Sequence, residues 1–72
     1  MTAKLHKGSH VLIIYKGREV EGRVIMASDN LKSLMLGFDA MLGGFVGMMP
    51  VLDNGDGYRD LIENEPVEVK PL

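Results

Sequence analysis

The feature that most constrains this chain is a double run of alternation between Gly17 and Phe38. Val20, Gly22, Val24 and Met26 recur at spacing two, with Glu19, Glu21 and Arg23 between them. A mostly polar stretch from Ser28 to Ser33 interrupts the pattern, which resumes as Leu34, Leu36 and Phe38. Extended chain points successive side chains to opposite faces, so this pattern predicts two long antiparallel strands with one face in a core. A lone hairpin is marginally stable in water, and the remaining residues must supply more strands to cover its apolar face. An all-β domain is the expectation.

With 72 residues the chain has room for one domain, close to the lower limit for folding without staples. It contains no cysteine, so neither a disulfide nor a thiolate metal site can help, and a reducing, cytoplasmic setting is expected. Two Phe, two Tyr and no Trp leave a core that is aliphatic and rich in methionine. The net charge of −2 is unevenly spread: residues 1–32 carry six Lys/Arg against three Asp/Glu, and residues 33–72 two against seven. An acidic total opposes avid nonspecific nucleic-acid binding, which depends on counterion release by Lys and Arg; the basic first part keeps a weaker form in play. No apolar segment of the kind that follows the basic start of a secretion signal is found after Lys7. From Ser33 to Leu52 the only charge is Asp39, and Gly43 and Gly47 stand four apart, but four glycines, Pro50 and strand-like alternation oppose a membrane-spanning helix.

Taken in order, Met1 to Lys7 reads as a basic, flexible lead-in. His10 to Tyr15 is a β-rich run with apolar residues on both faces, and Lys16-Gly17-Arg18 reverses the chain into the long second strand, Glu19 to Ala27. Gly22 interrupts that strand, the mark of a bend that lets one strand serve two sheets of a small barrel. A third strand is predicted from Ser33 to Phe38. The connection from Asp39 to Gly44 fits either a short helical turn or a glycine-broken strand. Phe45 to Leu52 is the fourth strand, placed at an edge or bulge by Pro50, and Asp53 to Gly57 is a turn-rich loop. Tyr58 to Glu63 fits a 3₁₀ turn, and Val67 to Lys70 a last short strand.

Five strands, a bent second strand and a helical turn before the last one resemble the SH3-like small β-barrels, in their Sm-like, Tudor-like and KOW-like forms. The most specific overlap is Gly17-Arg18-Glu19-Val20-Glu21-Gly22-Arg23-Val24, which resembles the first half of an Sm motif. The chain departs from that motif at Ala27-Ser28-Asp29-Asn30, where an aromatic-Asp pair and Met-Asn belong, and it has Glu63-Asn64-Glu65 where an Arg-Gly pair belongs. The resemblance implies a fold, with residues 8–72 as one SH3-like barrel, and does not by itself assign a function.

Motifs for chemistry are sparse. His6 and His10 fall in the lead-in and at a strand start, and Ser9, Ser28 and Ser33 sit in no nucleophile context. Asp53 to Gly57 fails the register of a calcium loop, and Gly43-Gly44 lacks the Lys-Ser/Thr of a phosphate loop. The chain therefore reads as non-enzymatic, without cofactor or metal. Methionine is what exceeds the needs of a core: Met35, Met41, Met48 and Met49 lie beside Phe38 and Phe45. Methionine fills irregular cores and also serves adaptable binding surfaces. A five-stranded barrel has one interior, and the surplus apolar residues predict an interface with a second copy or a protein partner. Its candidate residues are Phe38, Met41, Phe45, Met48 and Met49; adjacent Met48 and Met49 must point to opposite faces. The alternative is a weak nucleic-acid site using Lys16, Arg18, Arg23 and Lys32.

Overall fold

The computed structural model describes residues 5–72. Six antiparallel strands follow one another: β1 (His10–Tyr15), β2 (Arg18–Ala27), β3 (Ser33–Leu42), β4 (Phe45–Asp53), β5 (Tyr58–Asp60) and β6 (Pro66–Pro71). Each is hydrogen-bonded to the next, and β6 returns to β1 to close a barrel. The expected all-β antiparallel barrel is present with six strands rather than five. The additional one is β5, in the segment expected to form a 3₁₀ turn. Tyr58, Arg59 and Asp60 pair with Asp53, Leu52 and Val51, and Tyr58 and Arg59 also pair with β6. Ladder bonds on both sides outweigh the weak local preference of so short a segment.

Gly22 acts as the pivot of β2. Residues 18–23 pair with β1 and residues 22–27 with β3, so the strand turns from one sheet face to the next at that glycine. A Cβ there would run into the Gly37 carbonyl and the Ile13 side chain, and only glycine permits this approach. Two residues later the ladder slips, between Val24 and Met26. Such a bulge resets the inward–outward alternation. Val24 is buried, Ala27 packs on the core, and Met26, which the alternation assigned to the interior, is turned out and 62% exposed.

β3 continues past Phe38 to Leu42, which resolves the Asp39–Gly44 connection in favour of strand. Leu42 faces Phe45 across the two-residue turn Gly43-Gly44, and Gly43 has φ 62°. A positive φ at the first central position is what a II′ hairpin demands of glycine. Of the basic lead-in, residues 1–4 lie outside the described residues. Leu5 packs against the core, and the Gly8 N–H and the Ser9 carbonyl bond to the Val24 backbone.

The interior is filled by alternate residues of the strands: Val11, Ile13 and Tyr15 from β1, Val24 from β2, Leu34, Leu36 and Leu42 from β3, Phe45, Met49 and Val51 from β4, and Val67 from β6. At one end the Tyr15 and Phe45 rings meet edge to face, with centroids 5.9 Å apart. The Tyr15 hydroxyl donates to Oδ2 of Asp60 at 2.8 Å. Asp60 is also buried, and its oxygens accept from the backbone N–H groups of Ile62, Glu63, Asn64 and Glu65, which fixes the turn after β5. Burial pushes this carboxylate up, but bonds from the Glu63 N–H, the Tyr15 hydroxyl and the N–H groups of Glu65 and Ile62 outweigh it and hold Asp60 below its ordinary range. Burial, and then the bond to Asp60, push the Tyr15 phenol well above its own. Among the described residues no helix is long and apolar enough to cross a membrane.

Candidate interaction surface

The barrel divides the five candidate contact residues between its inside and its outside. Met49 is fully buried and Phe45 is 6% exposed, so both are core residues and leave the candidate surface. Phe38 is half-buried and packs against the core. Met41 and Met48 remain outside, at 62% and 49% exposure. Adjacent Met48 and Met49 thus point to opposite faces, as strand geometry requires. Phe45 goes inside for the same reason as Met49, because both share the inward register of β4 with Val51.

The outward register of β4 consists of Val46, Met48, Pro50 and Leu52, with no polar side chain among them. A strand whose other face meets water normally alternates apolar with polar residues. Neighbours on β3 extend the apolar character sideways, since Val46 faces Met41, Met48 faces Gly37 and Pro50 faces Met35. Met35 in turn faces Met26 on β2, and the Leu61 N–H bonds to the Pro50 carbonyl from the other side. Met26, Met35, Pro50 and Leu61 line a shallow depression of about 410 Å³. The Ile25 side chain lies where a Cβ on Gly37 would be, so the glycine in the middle of this face is covered by a branched aliphatic group.

Val46 and Met35 lie within the expected Met/Phe-rich surface, Leu34 to Leu52, but not among its five candidate residues, and sequence reasoning missed Met26 and Leu61 altogether. Val46 was legible: once Phe45 is inward, its neighbour must be outward. Met26 was not, because the bulge that exposes it depends on the β2–β3 register. Leu61 was not legible either, because it reaches Pro50 only through the turn that Asp60 fixes.

The four candidate cations do not form one patch. Lys16 and Arg18 are at the start of β2, Arg23 is midway along it, and Lys32 is beyond its far end. Ten residues of strand span roughly 33 Å. Lys16 is further engaged, with its Nζ 3.0 Å from Glu63 Oε1 and 5.4 Å from the centre of the Tyr15 ring. The Glu63 hydrogen bond raises its pKa. Arg23 borders a second depression, of about 510 Å³, together with His10, Glu21, Phe38 and Asp39, where two carboxylates offset its charge. Among the described residues no three His, Asp or Glu side chains come together as metal ligands would. No protein-family model matches the chain, and neither a curated protein nor a solved structure matches it.

Proposed function

We infer that this chain is an SH3-like small barrel that acts as a non-enzymatic interaction module, associating with other copies of itself or with a protein partner through the outer face of β3 and β4. The bent β2 pivoting at Gly22 and the short connection before the last strand support the SH3-like reading. One observation carries the functional reading: the outward register of β4 is apolar throughout, and Val46, Met48 and Pro50 face the uncharged Met41, Gly37 and Met35, with Arg59 opposite Leu52 at the margin. Solvent-exposed apolar side chains set singly are ordinary, whereas a contiguous group of them marks a contact surface. Methionine suits such a surface because its flexible, polarisable side chain adapts to the shape opposite. The absence of cysteine from the sequence fits work in a reducing compartment.

Sedimentation velocity over a range from micromolar to millimolar chain tests self-association directly. Wild type is expected to shift toward dimer or larger at tens of micromolar, with Met48→Asp shifting it back to monomer. A wild-type chain that stays monomeric throughout would leave this face to a different protein. A Met48→Asp chain that associates as well as wild type would remove the face from the account.

A further inference from the structure

Among the described residues, closing the barrel leaves five stretches of strand with a ladder neighbour on one side only. Two are residues 25–27 of β2, which have β3 alone and lie at the register slip after Val24, and residues 68–71 of β6, which have β1 alone and carry Glu68 and Lys70. The other three lie on β2, β3 and β4. β2 meets β3 only from Gly22 onward, so residues 18–21 have β1 alone. β3 last pairs with β2 at Phe38, and of residues 39–42 only Met41 and Leu42 pair, with β4 alone. β5 takes up β4 only at Val51, Leu52 and Asp53, and Leu61 adds one bond at Pro50, so residues 45–49 have β3 alone. An open edge presents backbone N–H and C=O groups to any extended chain, and proteins guard such edges with charge or irregular register. The first of these three carries Arg18, Glu19 and Glu21. The second carries Asp39 and lies where the β3–β4 register slips between Gly37 and Met41. The third shares that slip at Gly47, whose φ is 78°, but has no charge, because none occurs between Asp39 and Asp53. Pro50, which lacks an N–H, limits the length of this edge without repelling a neighbour.

We propose that the open edge of β4 receives β4 of a second copy of this chain, the two strands adding antiparallel about a two-fold axis at Gly47. The proposal rests on the reading of this face as an interaction surface and states how the surface is used. Pairing about Gly47 sets Val46 of one copy opposite Met48 of the other on the outer side, so apolar side chains meet across the junction. Like charges facing each other destabilise a strand pair, and an uncharged strand that pairs with itself sets none opposite another. Residues 45–49 meet that condition over five residues; residues 25–27 are also uncharged but only three long and beside the β2 slip, and the remaining open stretches carry charge. The axis residue has a positive φ that glycine adopts without strain. A charged peptide would find no counter-charge on this edge to set its register, whereas β4 is complementary to itself. The two-fold arrangement is closed, each copy using the same edge, and it ends at a dimer rather than a fibre.

The chain has no cysteine, so single introduced thiols report the register without interference. Val46→Cys and Met48→Cys alter exposed side chains and leave the core intact. Residues directly opposite in the pair have Cβ atoms within disulfide reach, whereas two Val46 positions are diagonal and beyond it. Mixing the two variants under mild oxidation should therefore give the mixed disulfide about ten-fold faster than either variant gives its own dimer. Wild-type association in sedimentation with no preference for the mixed disulfide, or with faster crosslinking of Met35→Cys, would overturn edge pairing while leaving the interaction surface standing. No association of wild type at any concentration would remove self-pairing altogether.

Discussion

β1 and β4 both carry apolar side chains on their two faces, yet they meet different neighbours. On the outside of β1, Leu12 is flanked by Glu21 on β2 and Lys70 on β6, and Ile14 by Glu19 and Glu68. Lys70 and Glu68 also approach each other, with Nζ 3.5 Å from Oε2. Long charged side chains lay their aliphatic stems along such residues and keep their heads in water, and Leu12 and Ile14 are only half-exposed. On the outside of β4, Val46 is 71% exposed, and the partners of Val46, Met48 and Pro50 on β3 are uncharged; the charges nearby are Asp39, between Gly37 and Met41, and Arg59, opposite Leu52. Two strands of similar composition thus differ in what they offer a partner. Cross-strand neighbours decide whether an apolar residue is a filled gap in a polar surface or part of an open face.

The two faces of β4 differ most in how they receive the same charge. Met49→Asp puts an unpaired carboxylate into a closed aliphatic interior, at a cost of about 5 kcal/mol or more, enough to unfold a domain of marginal stability. Met48→Asp puts it in water and should leave the melting temperature within a few degrees of wild type. Thermal denaturation followed by circular dichroism separates the two. Comparable destabilisation by both would show that Met48 is not outward and would dissolve the open face.

That test also marks where the sequence was readable. Alternation is local, so it established that Met48 and Met49 diverge, that β1 has two apolar faces and that Gly22 is a pivot. The destination of each face is not local. Met26 left the interior because of a register slip against Met35, and Tyr58 to Asp60 became a strand because partners were waiting on both sides. The buried charge was the least legible element. Asp60 reads as one acid among several near the end of the chain, and nothing in its immediate sequence says that Tyr15, at a separation of 45 residues, will bond to it.

The same Tyr15 joins the two compared strands, since it ends β1, touches Phe45 of β4 and bonds to Asp60. Tyr15→Phe removes one charge-assisted hydrogen bond and should cost about 2 kcal/mol, with the ring packing kept. The pH dependence follows from the two shifts. Asp60 is held below its unfolded value, so its contribution is present above about pH 4 and is lost as pH falls through the folded value. Tyr15 is raised, so its contribution is complete below about pH 10 and is lost as pH climbs above it. Urea titrations across pH should therefore show Tyr15→Phe without the alkaline loss that wild type suffers. Asp60→Asn should show a weaker acid dependence from a lower starting stability. An alkaline limb unchanged by Tyr15→Phe would assign that limb to another group.

A smaller effect sharpens the contrast between outer faces. Ile14→Asp, on the guarded face of β1, should leave self-association within about two-fold of wild type, while Met48→Asp weakens it about ten-fold or more; each ten-fold step corresponds to about 1.4 kcal/mol of contact energy. Equal weakening by the two variants in sedimentation would mean that exposure alone, and not the neighbours, selects the interface.

The smallest expected effect concerns the cations that guard the β1–β2 side. Arg18 and Arg23 are separated along β2 by Glu19 and Glu21, and across the ladder Arg18 faces Tyr15 while Arg23 faces His10. A phosphate backbone is held by several cations acting together, each releasing counterions, and interleaved carboxylates repel the same phosphates. Binding of single-stranded RNA or DNA is therefore expected only above about 10 μM at physiological salt, in the nonspecific range. Arg18→Glu with Arg23→Glu should weaken even that by only a few-fold, because so few cations contribute, and the salt dependence should be correspondingly shallow. Fluorescence anisotropy with labelled oligonucleotides at two salt concentrations measures both quantities. Affinity of tens of nanomolar with a steep salt slope, lost in the double variant, would reverse the assignment: the charged outer side of β2 would be the working surface, and the apolar side of β4 its unused counterpart.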